Sequence, residues 1–560
     1  MEFRSKWQRL ACIFTFSVLI NTAFAAPGSA IAGRELQRQQ QRQQAVEEQL
    51  QPQAPDVRLL PKLEPIQTAT EPEKVCFVVR EISLQGGDTL PLQKKAREKL
   101  SSSIDQCLGL NGIRQLVTDL QNMWIAEGLV TTRVLVPPQD LSTGRLALTV
   151  IPGVFRNISA TENSRINLKT AIPAKEGAPL DLRDFEQGLE NLQRLPSVSA
   201  NFRIVPGDKP GESNVEIDWQ QDKLWRVALS ANDSGSDSTG RNQATTTLYV
   251  DNLLGLSDLI YFSRGVDLHH SNRRGSDSYT GHFSLPLGYW NIGFTTNGYD
   301  YVQTVAGLNN NIEYSGSSRN QSLELSRIVH RSNRSKTTVK LAVGKRQSRN
   351  YIEDVEVGIQ RRETAFWKLG VNNRFFFDTA TLSSDLSYRK GTRWFGALPA
   401  PEESIGEATA LSDIVNVSAS LQVPFHFSEQ RFRWNPRFYG QWTDTPLTPQ
   451  DQMTIGSRYT VRGFDGQVSL AADKGWYLQN DFAWLIPGTQ SELYWGLDYG
   501  SVSGNGVENL LGNHLAGTVL GLKGNWRGIS YQLFAGKPLS KPSGFKADDH
   551  TLGFSVNWEY

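Results

Sequence analysis

The residue with the most specific side-chain chemistry is Arg462, which lies in a long segment between strands, residues 446–474. It belongs to the run Val461, Arg462, Gly463, Phe464. An arginine beside a glycine can extend its planar guanidinium into a confined space and bind a carboxylate through two parallel hydrogen bonds. That chemistry positions a loop and transforms no substrate. The alternative is that the following Asp-Gly pair simply makes a turn and Arg462 is solvated.

Two carboxylates are candidates for the partner of Arg462. Residues alternate along the strand around Asp498, so Gly496, Asp498 and Gly500 share the face opposite three large apolar side chains. The two glycines leave space beside the carboxylate, which makes Asp498 our first choice. Asp481, on the corresponding face of an earlier strand, is the second choice.

No catalytic or metal-binding motif accompanies these residues. The chain has seven histidines, but no nucleophile elbow, His-Glu-x-x-His pair or phosphate loop. We therefore expect no catalytic residue, no metal and no cofactor. The formal net charge of +1 indicates no nucleic-acid partner.

The first residues predict export from the cytoplasm. Arg4, Lys6 and Arg9 precede an apolar run, Leu10 to Ile20, that is too short to span a bilayer as a helix. The run ends in Ala23-Phe24-Ala25, whose small residues suit signal peptidase. We predict a signal peptide over residues 1–25. A buried N-terminal helix is the alternative, but the run has no polar stripe.

Of three cysteines, Cys12 is removed with this signal. Cys76 and Cys107 remain as a pair in an oxidising compartment, which favours a disulfide. A metal or redox site would need clustered cysteine and histidine ligands.

Residues 26–51 predict a polar N-terminal helix, because helix-forming residues continue from Ile31 to Gln51 without an apolar face. Such a segment is either disordered or lies in a water-filled cavity, such as the lumen of a large barrel, where it would act as a plug. Residues 52–73 contain five prolines and predict an extended linker that reaches about 60 Å.

Residues 74–219 predict two small α+β modules in series, 74–151 and 152–219. The first has a predicted strand over Cys76 to Leu84 and a helix over Ile113 to Glu127. The second has a helix over Leu182 to Leu195, which the acidic Asp181 caps.

Residues 220–560 predict an outer-membrane β-barrel of about 16 strands, with alternating apolar and polar residues and Gly-rich turns. No stretch after the signal has the roughly 18 apolar residues that a membrane helix needs, so a helical membrane protein is excluded. Segment 233–243 is long and polar, whereas 251–258 is a tight connection, which places the modules on the periplasmic side with the short turns. A soluble β-sandwich does not explain this asymmetry.

Three motifs, in this order, resemble the two-partner secretion transporter family. Residues 128–146, with Gly128-Leu129-Val130-Thr131-Thr132-Arg133, Pro137-Pro138-Gln139-Asp140-Leu141 and Gly144-Arg145-Leu146, look like the family's first POTRA domain. Leu182 to Ser197 looks like its second, and Val461 to Phe464 like its barrel-loop motif. The resemblance covers nearly the whole mature chain.

The resemblance implies an outer-membrane transporter with its POTRA domains in the periplasm and no enzymatic activity. Its main partner would be a large secreted β-helical exoprotein, a haemolysin, adhesin or contact-dependent inhibition toxin, recognised through the N-terminal secretion domain. Outer-membrane lipid and the barrel assembly machinery are further implied partners. Export would need no ATP, and an exposed POTRA strand edge could receive the client by strand addition.

An outer-membrane insertase of the same superfamily is the alternative function. Insertases usually carry more POTRA domains and lack a polar N-terminal helix on a Pro-rich linker. A catalytic barrel would need one of the missing motifs, and a diffusion porin has no use for residues 74–219.

Overall fold

The computed structural model describes residues 27–51, 55–65, 75–161, 164–271, 273–306 and 310–560. The predicted signal peptide and part of the predicted linker lie outside the described residues. Helix α1, Pro27–Leu50, comes first and is followed by an extended segment, residues 55–65. Among the described residues, no helix is both long and apolar enough to cross a bilayer.

The first module places two helices against a three-stranded sheet and a separate strand pair. The sheet has the order β2-β5-β4, with β2 and β5 parallel, and β1 pairs with β3. Trp124 and Leu120 of α3 pack on Leu146 and Leu148 of β5, and all four side chains are fully buried. The elements are β1 Phe77–Val79, β2 Glu81–Gln85, α2 Gln93–Ser101, β3 Gln106–Leu108, α3 Leu110–Ala126, β4 Arg133–Leu135 and β5 Arg145–Ile151.

The prediction of a single strand over Cys76 to Leu84 was wrong. The chain leaves strand geometry at Arg80 and forms two strands, because β1 pairs with β3 while β2 pairs with β5 in the other sheet. Local apolar content predicts extended backbone but cannot say which neighbour it pairs with.

The second module has a three-stranded sheet of order β6-β8-β7. Asp181 accepts a hydrogen bond from the backbone N–H of Arg183 and so caps α5, as expected. The apolar side of α5 packs on the sheet through Phe185, Leu189 and Leu192. The elements are β6 Val154–Ala160, α4 Leu168–Ala171, α5 Leu182–Gln193, β7 Val198–Pro206 and β8 Glu212–Gln221.

The remainder is a closed antiparallel barrel of 16 strands, in which the last strand pairs with the first. A two-residue strand, β16 Val355–Glu356, only extends the hairpin at the end of β15. The predicted fold class is therefore confirmed. The strands are β9 Trp225–Asn232, β10 Gln243–Asp251, β11 Leu259–Asp267, β12 Gly275–Leu287, β13 Trp290–Ala306, β14 Asn311–Arg331, β15 Ser335–Ile352, β17 Arg362–Phe376, β18 Thr381–Thr392, β19 Asp413–Phe427, β20 Gln430–Trp442, β23 Lys474–Leu485, β24 Ser491–Ser503, β25 His514–Trp526, β26 Ile529–Ser540 and β27 Thr551–Glu559.

The connections differ in length at the two ends of the barrel. At the end where the second module enters, turns such as 428–429 and 527–528 are short. At the opposite end the connections 393–412 and 443–473 are long. Bacterial outer-membrane barrels have short turns in the periplasm and long loops outside. The modules therefore lie on the periplasmic side.

Candidate functional site in the barrel lumen

The connection between β20 and β23, residues 443–473, folds back into the barrel, and we call it the lumen loop. It contains a short hairpin of β21 Met453–Ile455 and β22 Leu470–Ala472. An apolar cluster joins the loop to the inner wall, and each of its buried members is at most 5% exposed. The cluster includes Ile455, Val461, Phe464 and Leu470 of the loop and Val502 and Leu515 of the wall.

Arg462 lies at the inner wall between two carboxylates. Its Nε and Nη2 atoms donate to the two oxygens of Asp498, each at 2.7 Å. The backbone N–H of Arg462 donates to the same carboxylate at 2.9 Å. Nη2 and Nη1 also donate to Asp481 at 2.5 and 3.3 Å. The structure thus brings both candidate partners to one guanidinium.

The two carboxylates differ in burial. The Asp498 side chain has no exposed surface, whereas that of Asp481 is 18% exposed. A buried carboxylate needs its ionic partner far more than a partly solvated one does. Asp498 is therefore the stronger anchor of the lumen loop.

Glycines let the loop backbone approach the wall. A Cβ atom on Gly517 would lie 1.9 Å from the carbonyl oxygen of Arg462, and one on Gly496 would lie 2.6 Å from its Nη2. Gly463 adopts a φ of 96°, where other residues are strained. We expected Gly496 to leave space for the arginine because it lies next to Asp498 on the inward face of the strand, and the short distance to Nη2 agrees with this. Gly517 was missed, although it is the residue opposite Asp498 on β25.

A second ion-pair cluster anchors the lumen loop on a different part of the wall. Asp451, whose side chain is 4% exposed, accepts from Arg389 at 2.8 Å and from Arg346 at 3.3 Å. The two arginines lie on β18 and β15. The sequence contained no signal for this cluster, because an isolated aspartate in a loop has no pattern that names its partner.

Helix α1 runs through the lumen beside this loop. The Nη2 atom of Arg38 donates to the carbonyl of Gly466 at 2.8 Å, and the Ser457 hydroxyl donates to Gln41 at 2.9 Å. Gln37 donates to the carbonyl of Pro449. Helix and loop are therefore joined by polar contacts.

The same helix also contacts the barrel wall. Arg42 donates to Gln243 of β10 at 2.7 Å, and Asn297 of β13 donates to Glu47 at 2.7 Å. Near the periplasmic end, the Tyr249 hydroxyl donates to the last carbonyl of α1 at 3.2 Å. The polar side chains all round the helix find hydrogen-bond partners because the lumen wall is polar as well.

The second module is docked on the periplasmic end of the barrel. Ser197 donates to Asp251 at 2.6 Å, and Arg194 donates to the hydroxyl of Ser284 at 2.6 Å. In the first module, Cys76 and Cys107 form a disulfide, with Cα atoms 5.3 Å apart. Among the described residues, no cluster of three or more His, Cys, Asp or Glu side chains could hold a metal ion.

The chain matches three known family models. Residues 211–524 match the haemolysin secretion/activation protein ShlB/FhaC/HecB, residues 77–153 the ShlB-type POTRA domain and residues 154–206 a POTRA domain. The predicted family and localisation are confirmed.

Individual relatives agree with these matches. The outer membrane transporter CdiB-2 of Burkholderia pseudomallei strain 1026b is 36% identical over 547 residues, 94% of this chain and 93% of the relative. The outer membrane transporter CdiB of Dickeya dadantii strain 3937 is 29% identical and covers 99% of both chains. The solved structure of CdiB from Escherichia coli superposes with a TM-score of 0.86 at 27% identity, covering 96% of this chain and 100% of that one. The chain therefore belongs to the ShlB/FhaC/HecB family, the outer-membrane transporters of two-partner secretion.

Proposed function

We propose that this chain exports one large exoprotein through its barrel lumen, and that α1 is a plug that leaves the lumen during export. The observation that carries the proposal is the seating of a polar helix, α1, inside a polar lumen by side-chain hydrogen bonds. Each such bond has one charged partner and contributes about 1.5–3 kcal/mol net, because water can replace it. A helix held in this way can be withdrawn.

The lumen loop is held differently and has a different role. Its apolar cluster and two ion-pair clusters fix it to the wall. Arg462 belongs to the run Val461 to Phe464. By pairing with Asp498 and Asp481, it is the proposed determinant of where the lumen loop docks. Because a fixed loop shapes the space beside it, we expect loss of docking to impair export while the barrel still assembles.

The proposed client is a large secreted β-helical exoprotein, a haemolysin, adhesin or contact-dependent inhibition toxin. Its N-terminal secretion domain would reach the two POTRA domains unfolded. Folding of the client outside removes the unfolded species and can drive transport without ATP. The chain needs no covalent chemistry for this function. We infer that it enters the outer-membrane lipid through the barrel assembly machinery, as other such barrels do.

The client can be identified by comparing proteins secreted by cells with and without this chain. We expect the loss of one large exoprotein and no change in the folded levels of other outer-membrane barrels. Secretion that continues without the chain would refute the proposal. A general fall in other barrels would instead establish the insertase function.

The plug is tested by deleting residues 27–51. Conductance in planar bilayers and sensitivity to large antibiotics should both rise, because the lumen loses its helix. The protein must still change its electrophoretic mobility on heating, because that change marks a folded barrel. Unchanged conductance in a folded barrel would end the plug assignment.

A further inference from the structure

The extended segment 55–65 lies on a surface that both POTRA domains and the barrel build together. We call this surface the linker track. It lies at the periplasmic end of the barrel, where β14 ends and β15 begins. The track residues are Asn122 of α3, Arg183, Glu186 and Glu190 of α5, Arg331 of β14, Lys336 of β15 and Phe376 of β17.

The track holds the main chain of the segment at Val57. The backbone N–H of Val57 donates to Glu190 at 3.1 Å, and its carbonyl accepts from Arg331 at 2.7 Å. Both hydrogen-bonding groups of one residue are therefore bound by charged side chains, which make the stronger class of hydrogen bond.

The same arrangement recurs further along the segment. The N–H of Leu59 donates to Glu186 at 2.6 Å, and its carbonyl accepts from Arg183 at 3.5 Å. At Glu64, the N–H donates to the Asn122 side-chain oxygen and the carbonyl accepts from its amide nitrogen, both at 2.9 Å. Three residues of the segment are thus bound through six main-chain groups.

The track is held together by its own ion pairs. Arg331 donates to Glu186 at 3.2 Å and to Glu190 at 2.9 Å, and the three side chains are at most 6% exposed. Burial alone would raise the pKa of Glu190, but hydrogen bonds and charge from Arg331 and Lys336 hold it below its ordinary value. Glu190 is therefore ionised, and the pairs that Arg331 makes with Glu186 and Glu190 do not involve the segment.

Binding through main-chain groups does not depend on sequence, since every residue except proline carries one N–H and one C=O. An unfolded client presents these groups unpaired and in extended form. The resident segment has an advantage at rest, because it belongs to the same chain and its effective concentration is high. It also makes side-chain contacts: Asp56 accepts from Lys336 at 3.3 Å, and Arg58 lies over the Phe376 ring at 4.4 Å.

We infer that the linker track is the binding site for an extended segment of the exported polypeptide, and that residues 55–65 occupy it at rest as an internal stand-in. The inference rests on the proposed export function. Helix α1 ends at Leu50, only a few residues before the bound segment. A client that takes the track therefore also releases the tether that holds α1 in the lumen, which couples recognition to opening.

Photo-crosslinking from position 376 tests which polypeptide segment occupies the track. Phe376 is suited to it because p-benzoylphenylalanine is a conservative replacement for a phenylalanine. At rest, the crosslink should join Phe376 to residues 55–65. In cells that express the client's secretion domain fused to a disulfide-locked reporter, which stalls in the pore, the crosslink should pass to the client. Phe427, at the periplasmic end of β19 and 73% exposed, is the matched control and should capture little client.

The outcomes separate the inference from the proposed function. If the client is secreted normally but Phe376 stays crosslinked to the linker, or captures neither partner in the stalled state, the inference is wrong. Equal client capture at Phe427 also overturns it. If the client is not secreted by the unmodified chain, the proposed function itself fails.

A second experiment tests main-chain binding directly. The double substitution Val57→Pro with Leu59→Pro removes both donated N–H groups, and the resting crosslink at Phe376 should fall by about tenfold or more. Leu60→Pro with Lys62→Pro adds the same two prolines at residues whose side chains are exposed, and should leave the crosslink within about twofold. Equal loss in both variants would show that the segment is not held through these groups.

Discussion

Replacing Arg462 with alanine should undock the lumen loop without unfolding the barrel. The guanidinium makes four hydrogen bonds to two carboxylates, at 2.5 to 3.3 Å. The outward-facing side chains and the strand pairing of the barrel are untouched by the change, so we expect normal insertion. The loop alone loses its anchor.

The size of the effect follows from burial. Without Arg462, the Asp498 side chain stays fully buried and keeps only a backbone N–H as partner. Breaking a buried ion pair on one side costs about 3–5 kcal/mol, which is a shift of about 100-fold or more in the docking equilibrium. Arg462→Lys keeps the charge but not the fork, so its effect should be intermediate. Asp481→Ala should cost least, about 1 kcal/mol, because water can reach that carboxylate.

Loop docking can be followed by alkylation of Val468→Cys, a loop residue packed against the apolar cluster. Cys76 and Cys107 are joined to each other, so the engineered thiol is the reactive one among the described residues. With a membrane-impermeant maleimide, Arg462→Ala should raise the alkylation rate by about 100-fold. Client secretion should fall while heat-modifiable barrel stays constant.

Two results would refute this reasoning. One is an alkylation rate in Arg462→Ala within about twofold of the parent chain, with normal secretion. The other comes from the double mutant with Asp498→Ala, which should be no worse than Arg462→Ala, since the second change removes the stranded carboxylate. Strictly additive losses would mean that the two residues act independently.

Three further predictions concern a glycine, the disulfide and a buried carboxyl. Gly517→Ala should undock the lumen loop as strongly as Arg462→Ala, because the added Cβ collides with the loop backbone. Gly293→Ala is the control: its Cβ would have 3.8 Å of clearance, so the cysteine at position 468 should be alkylated at the parent rate. Cys76→Ser with Cys107→Ser opens a 31-residue loop and should destabilise the first POTRA domain by about 3–4 kcal/mol, seen as faster proteolysis of that domain alone; two free thiols in mass spectra of the native chain would contradict it. Burial raises the pKa of Asp181 to about 6, so its stabilising contribution is full below about pH 4 and lost as the pH rises through 6. Asp181→Asn keeps the helix cap and should increase hydrogen-exchange protection of α5 at pH 7.5, with little effect at pH 4; lower protection at pH 7.5 would count against the burial argument.

The sequence alone was sufficient wherever the determining pattern is local. Alternation with period two separates lipid-facing from lumen-facing side chains along a strand, and so it places Asp498 inside without knowledge of its neighbours. The polar helix and the strand count follow from equally local patterns, and the POTRA domains follow from the resemblance of two local motifs to the family. The family and the fold class were predictable for this reason.

Choices between distant partners needed the tertiary structure. The sequence ranked Asp498 and Asp481 as alternatives, but strand register sets Asp481 opposite Gly496 and brings both carboxylates to Arg462. The sequence left two alternatives for α1, disorder or a place in the lumen. A helix without an apolar face does not indicate which polar surface its side chains hydrogen-bond to.

The Asp451 cluster and the linker track were not predictable at all. Arg331 lies 274 residues from Val57, whose carbonyl it binds. A main-chain group is the same at every residue, so no side-chain pattern in the linker marks the positions that are bound. Only barrel closure and the docking of the second POTRA domain bring these groups together, and contacts of this kind are decided by tertiary structure because they depend on where whole elements end.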